Sequence, residues 1–124
     1  MANEIQSTCS LRVTNGSLKS NLTPGTINIT QAVAKGPAPG TVNVGTSAEA
    51  ISFAELTTLG VIQITNLDGT NFVDFGPDDG ASDIQPAIRI KAGECWQFRL
   101  VPGVTYYAKA DTGACNVQFM AYNN

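Results

Sequence analysis

Apolar and polar positions alternate along most of this chain. Ile62 and Ile64 are separated by Gln63 and followed by Thr65, the period-two signature of a half-buried strand. Asn66-Leu-Asp-Gly69 then supplies turn residues, and its Asp-Gly pair can take the positive φ of a tight turn. The chain resumes as Phe72-Val-Asp-Phe75, with Val73 and Phe75 on one face. This stretch predicts an antiparallel hairpin. Other strands must pack on it, because a lone hairpin is barely stable in water.

The rest of the chain offers those strands. Ile5, Ser7, Cys9, Leu11 and Val13 alternate with polar residues and predict one long strand, ended by Asn15-Gly16. A short partner over Ser17 to Leu22 is expected to break at Pro24-Gly25, with alternation resuming from Thr26 to Val33. Lys35-Gly-Pro-Ala-Pro-Gly40 reads as an exposed loop, since each proline lacks an N–H for a ladder. Val42 and Val44 mark another strand. Thr46 to Leu59 is ambiguous: Thr46 with Glu49 fits a capping box, but Ile51 and Phe53 fit a strand, and a short strand followed by a turn is preferred. Gly76 to Asp83 reads as a loop. Ile88–Ile90, Cys95–Leu100, Thr105–Ala110 and Cys115–Ala121 complete the set, separated by Gly93-Glu94, Pro102-Gly103 and Asp111-Thr-Gly113.

The expected fold is therefore all-β with little or no helix, a single antiparallel β-sandwich or jelly roll over residues 1–124. Its predicted core is Ile62, Ile64, Val73, Phe75, Ile88, Ile90, Trp96, Phe98, Leu100, Val117 and Phe119. The Gly36–Gly40 and Gly76–Asp83 segments are expected to have no regular structure of their own.

Composition narrows the function. The net charge of −3 and seven scattered Lys and Arg argue against a nucleic-acid partner. No apolar run approaches the ~18 residues of a membrane span, and Met1-Ala-Asn-Glu-Ile5 does not read as a signal peptide. The sequons at Asn15, Asn21 and Asn28 accordingly carry little weight. Charged residues are only 14% of the chain, so Thr, Asn, Gln and Ser supply the polarity. A neutral, hydrogen-bonding surface of this kind suits protein interfaces, whose centres are poor in Lys, Glu and Asp; it also suits an ordinary Thr/Asn-rich β protein.

Catalytic and metal chemistry find few residues. With no histidine, the Ser-His-Asp triad, its Cys-His variants and imidazole metal sites are all excluded. Cys9, Cys95 and Cys115 are odd in number and lack Cys-x-x-Cys spacing, which argues against disulfides. Cys9 and Cys115 lie on apolar strand faces and are expected to pack as small hydrophobes. Asp74, Asp78, Asp79 and Asp83 form one carboxylate cluster. Asp78, Asp79 and Asp83 offer oxygens of the kind Ca²⁺ takes, but Asp-Asp-Gly is also ordinary in solvated turns, and the turn is preferred. No cofactor and no catalytic residue is expected. Trp96 shares a face with Phe98 and Leu100 and is assigned to the core. Tyr106 and Tyr107 are adjacent, so alternation turns one ring outward as a contact candidate.

The second half of the chain resembles small all-β virion proteins of tailed bacteriophages. The resemblance rests on Gly60-Val-Ile-Gln-Ile-Thr-Asn-Leu-Asp-Gly-Thr-Asn-Phe-Val-Asp-Phe-Gly76, on Ile90-Lys-Ala-Gly-Glu-Cys-Trp-Gln-Phe-Arg-Leu-Val-Pro-Gly103 and on Tyr107-Ala-Lys-Ala-Asp111. It implies a structural, non-enzymatic virion component, foremost a capsid decoration (cement) protein that binds the major capsid protein and is assembled in the host cytoplasm. It also implies a homo-oligomer, a trimer before a dimer. A head-fibre or tail component, or a carbohydrate-binding module, is the alternative.

The strand from Ile5 to Val13 is expected to lie at a subunit boundary, with Met1 to Glu4 in contact, or else to be an edge strand of the protein's own sandwich. Ile5, Ser7, Cys9, Tyr106 and Tyr107 are the interface candidates.

Overall fold

Ten strands and no helix form among residues 4–124, the part of the chain described by this computed structural model. They are β1 Ile5–Asn15, β2 Leu18–Ile29, β3 Ala38–Val44, β4 Glu49–Ala50, β5 Leu59–Asn66, β6 Val73–Pro77, β7 Ile88–Ile90, β8 Cys95–Arg99, β9 Tyr106–Ala110 and β10 Cys115–Asn123. Where one sandwich over residues 1–124 is expected, the strands sort into two units, Met1–Val33 and Ala34–Asn124.

The larger unit is an antiparallel jelly roll. One four-stranded sheet has the order β3-β10-β5-β8 and the other β4-β9-β6-β7. Within this unit the first strand pairs with the last, the second with the second-last, and so inward to β6 and β7. That is a long two-stranded ribbon rolled into two sheets. The alternating residues of both sheets meet between them. Phe75 of β6 stacks on Tyr106 of β9 at 5.3 Å, and its ring lies 6.0 Å from Phe119 of β10 and 6.3 Å from Phe98 of β8. Ile62, Ile64, Val73, Phe75, Ile90, Leu100, Val117 and Phe119 are buried as their alternation predicts. Ile88 and Phe98 are half-buried against the same core.

Trp96 departs from that pattern: it is 47% exposed. Its register partner Ile64 is fully buried, so Trp96 shares the inward face. However, β8 is the last strand of its sheet, so no further described strand pairs on its outer side to cover the ring. The indole Nε1 donates to Glu94 Oε1 at 3.4 Å, and that oxygen also accepts the Lys91 N–H at 2.9 Å.

The expected hairpin over Gly60 to Gly76 does not form. β5 lies between β10 and β8 in one sheet, and β6 lies between β9 and β7 in the other. Asn66 to Phe72 is an arch between sheets, and Gly69 does not take a positive φ. The turn residues serve as its internal scaffold. Buried Asn66 accepts the Asp68 N–H at 3.0 Å and donates to the carbonyls of Asn71 at 2.9 Å and Ile90 at 3.1 Å. Asp68 accepts the Thr70 and Asn71 N–H groups at 2.9 and 2.6 Å, which holds its carboxyl below the usual range. The Asx residues here bend the chain, and the strand the bend leads to is set by pairing far from the turn.

Two loop expectations are also corrected. Ala38, Pro39 and Gly40 belong to β3, paired with Ala121, Met120 and Phe119. A proline is tolerated there because β3 is an edge strand. Gly76 and Pro77 belong to β6, and Asp78 bridges Ile84. Gly76 sits so close to the Gln85 carbonyl that no side chain fits. From Thr46 to Leu59 the preferred reading holds: a two-residue strand, Glu49–Ala50, then turns.

Candidate functional site

The smaller unit is a two-stranded ribbon. β1 and β2 are antiparallel, from Ile5 opposite Ile29 to Asn15 opposite Leu18. Gly16 and Ser17 join them, with Gly16 at φ 57° in the first central position, as a type II′ turn requires. Pro24-Gly25 does not break the partner strand as expected. It makes a bulge: Cys9 pairs with Gly25 and Leu11 with Leu22, so Thr23 and Pro24 together face the single residue Ser10.

That bulge decides the chemistry of the surface. In β2 the apolar residues fall at odd numbers near its end (Ile27, Ile29) and at even numbers near its start (Leu18, Leu22). An uninterrupted strand would send these two sets to opposite faces. The extra residue shifts the phase between them, and all four join Ile5, Cys9, Leu11 and Val13 on one side. The other side carries Gln6, Thr8, Arg12, Thr14, Lys19, Asn21, Thr26 and Asn28. Thr8 and Thr26 hydrogen-bond across it through their hydroxyls at 3.1 Å. Every Lys and Arg of the ribbon is on this polar side, and the apolar side holds no charge. Glu4 closes the open end by accepting the Gln31 N–H at 3.0 Å, which lowers its pKa.

The apolar side is uncovered. Leu11 is 58% exposed, Leu22 64%, and Leu18 and Ile27 are exposed to a similar degree. Ile5, Ser7 and Val13 are half-buried, and Cys9 is exposed rather than packed in a core. The alternative of β1 as an edge strand of the sandwich is not what forms, since β1 bonds only to β2 among the described strands. The expected contact at Met1 to Glu4 falls largely on residues 1–3, outside the described residues.

The other site candidates are distributed through the jelly roll. Tyr106 is buried, so it is not an interface residue. Its ring stacks on Phe75, its hydroxyl donates to the Val101 carbonyl at 3.3 Å and it accepts the Val101 N–H at 3.0 Å. Tyr107 is the half-exposed member of the pair. Cys115 is buried with its thiol pKa raised by that burial, and Cys95 is exposed, accepting the Thr65 hydroxyl at 3.2 Å.

The aspartates of the 78–83 turn bond to their own backbone. Asp78 accepts the Gly80 N–H at 2.9 Å; Asp79 accepts those of Ala81 at 2.7 Å and Asp83 at 3.2 Å; Asp83 accepts that of Ile84 at 2.7 Å. Among the described residues no three acidic, cysteine or histidine side chains gather as metal ligands. Asp74 is engaged by a bidentate pair with Arg89 at 2.8 and 3.1 Å, and Arg89 lies 3.8 Å over the Phe72 ring. Asp74, Asp83, Lys109 and Asp111 line an open cleft of about 360 Å³ beside Phe72 and Ile84. With Asp74 committed to Arg89, the cleft presents a mixed-charge wall.

The expected short partner over Ser17 to Leu22 and the alternation resuming at Thr26 are one continuous strand, Leu18–Ile29, that completes the face of β1. The signal was present in Leu18, Leu22, Ile27 and Ile29, whose change of phase across Pro24-Gly25 spells a bulge once the two strands are paired. No family model, curated protein or solved structure matches the chain.

Proposed function

We propose that this chain is a non-enzymatic structural protein of a bacteriophage virion, foremost a capsid decoration protein that binds and stabilises a shell of the major capsid protein. The observation that carries this reading is the ribbon. A two-stranded sheet with a charge-free, uncovered apolar side is a surface made for assembly, because an exposed apolar face of this size is costly to leave in water. The jelly roll, for its part, has sheet edges at β3, β8, β4 and β7 that are unpaired among the described strands and can add to a neighbour's strands. The resemblance of Gly60 to Gly76 and Ile90 to Gly103 to virion proteins directs the reading to a phage particle.

The test is biochemical. Purified particles should contain the chain in a fixed copy number relative to the major capsid protein, and particles lacking it should rebind it and gain thermal stability. Its absence from intact particles would refute the proposal. A carbohydrate-binding role is the second reading, favoured by the half-exposed indole of Trp96. Saturable glycan binding lost in Trp96→Ala would replace the first reading with it.

A further inference from the structure

We infer that the apolar side of the ribbon packs against the same side of a second copy of this chain, related by a two-fold axis across the middle of the strands. The inference rests on the reading of the ribbon as an assembly element and deepens it by naming the occupant. It replaces the trimer implied by resemblance with a two-fold contact.

Six rungs cross the apolar side, from Ile5 opposite Ile29 to Asn15 opposite Leu18. Their sizes are uneven. The third rung, Cys9 with Gly25, is a notch; the fourth, Leu11 with Leu22, is a ridge. A two-fold axis lying between these rungs and perpendicular to the strands reverses one ribbon over the other, β1 above β1 and β2 above β2. Cys9 of one copy then meets Leu11 of the other, and Gly25 meets Leu22. The next rungs outward obey the same rule: Ser7 meets Val13, and Ile27 meets Ser20. A small residue faces a large one across these four central rungs, and at the outermost rungs Ile5 meets Asn15 while Ile29 meets Leu18, closing the ends of the contact with apolar bulk. Such reciprocity is what an isologous interface requires, because each patch must be its own complement.

Charge agrees with shape. Arg12 and Lys19 lie on the opposite side of the ribbon, so bringing two copies together buries no like charges. Facing the ribbons at about 10 Å also gives each the second layer that a lone two-stranded sheet lacks.

The experiment is equilibrium sedimentation of the full chain over a concentration range, with thiol labelling in parallel. The expected species has twice the 13.0 kDa chain mass. In it, Cys9 should be protected while Cys95 labels. Cys9→Leu fills the notch and should give a monomer that labels at Cys95 alone. Adding Leu11→Cys exchanges ridge and notch, and should restore the dimer. Arg12→Asp, on the polar side, should leave the dimer intact. Circular dichroism of each variant confirms that the strands persist.

A trimer, a monomer at all concentrations, or a dimer in which Cys9 labels as fast as Cys95 would overturn the inference. So would failure of the exchange to restore what Cys9→Leu removes. A monomer that still binds particles would overturn it while leaving the virion reading standing. A dimer absent from particles supports it and removes the virion reading instead.

Discussion

The ribbon and strand β10 carry the same alternation of apolar and polar residues, but they put it to different use. In β10 every second residue from Cys115 to Asn123 is buried, because β3 and β5 flank it and the opposite sheet covers it. In β1 the matching residues are exposed or half-exposed along their whole length. Both strands are amphipathic and both pair in register. Periodicity therefore states which side chains share a face, and whether another layer covers that face is a separate fact.

The comparison can be tested first where its contrast is greatest. Phe75 is fully buried among three rings, so Phe75→Ala should cost about 3–5 kcal/mol of jelly-roll stability, read from the urea midpoint by near-ultraviolet dichroism. Phe98→Ala should cost less, since Phe98 is only partly buried against the same core. An equal loss at both positions would mean that burial does not rank these sites.

The arch offers a sharper test, because its stability is polar. Asn66→Leu keeps the bulk but leaves the Asp68 N–H and the carbonyls of Asn71 and Ile90 without this partner. A loss of about 1–3 kcal/mol is expected. A neutral result would show that water replaces the amide and that the arch is not held from within.

A smaller effect should appear with pH. Asp68 has a depressed folded pKa because the Asn71 and Thr70 N–H groups bond its charged form. Its contribution is thus present above the ordinary aspartate value of about 3.9 and lost as pH falls through the lower folded value. Melting temperatures of the wild type and Asp68→Asn should differ near neutrality and converge in acid. A gap that persists to the lowest pH at which the protein folds would sink this account.

The smallest effect is expected in the ribbon. Leu11→Ser should change jelly-roll stability by no more than about 0.5 kcal/mol, because Leu11 is exposed and belongs to the other unit. The same substitution should abolish self-association. A large drop in the jelly-roll midpoint would break the comparison by making the two units one cooperative structure.

Much of the fold is legible in the residues themselves. Alternation places the strands of the jelly roll and most of its core, from Ile62 to Phe119, since side chains two apart point the same way whatever the strand pairs with. Local turn chemistry marks Asn15-Gly16, Gly93-Glu94 and the Asp78–Asp83 turn. What tertiary structure alone decides is pairing and coverage. Asn66 to Gly69 bends the chain equally well into a hairpin or an arch, and the choice falls to the arch because β10 and β8 already occupy both edges of β5. Pro24-Gly25 interrupts a strand or bulges it, and opposition to β1 makes it a bulge that gathers Leu18, Leu22, Ile27 and Ile29 onto one side. Trp96 faces inward as its alternation says, yet stays in solvent because β8 is the last strand of its sheet. Each of these outcomes depends on residues far away in sequence, whose positions no local pattern contains.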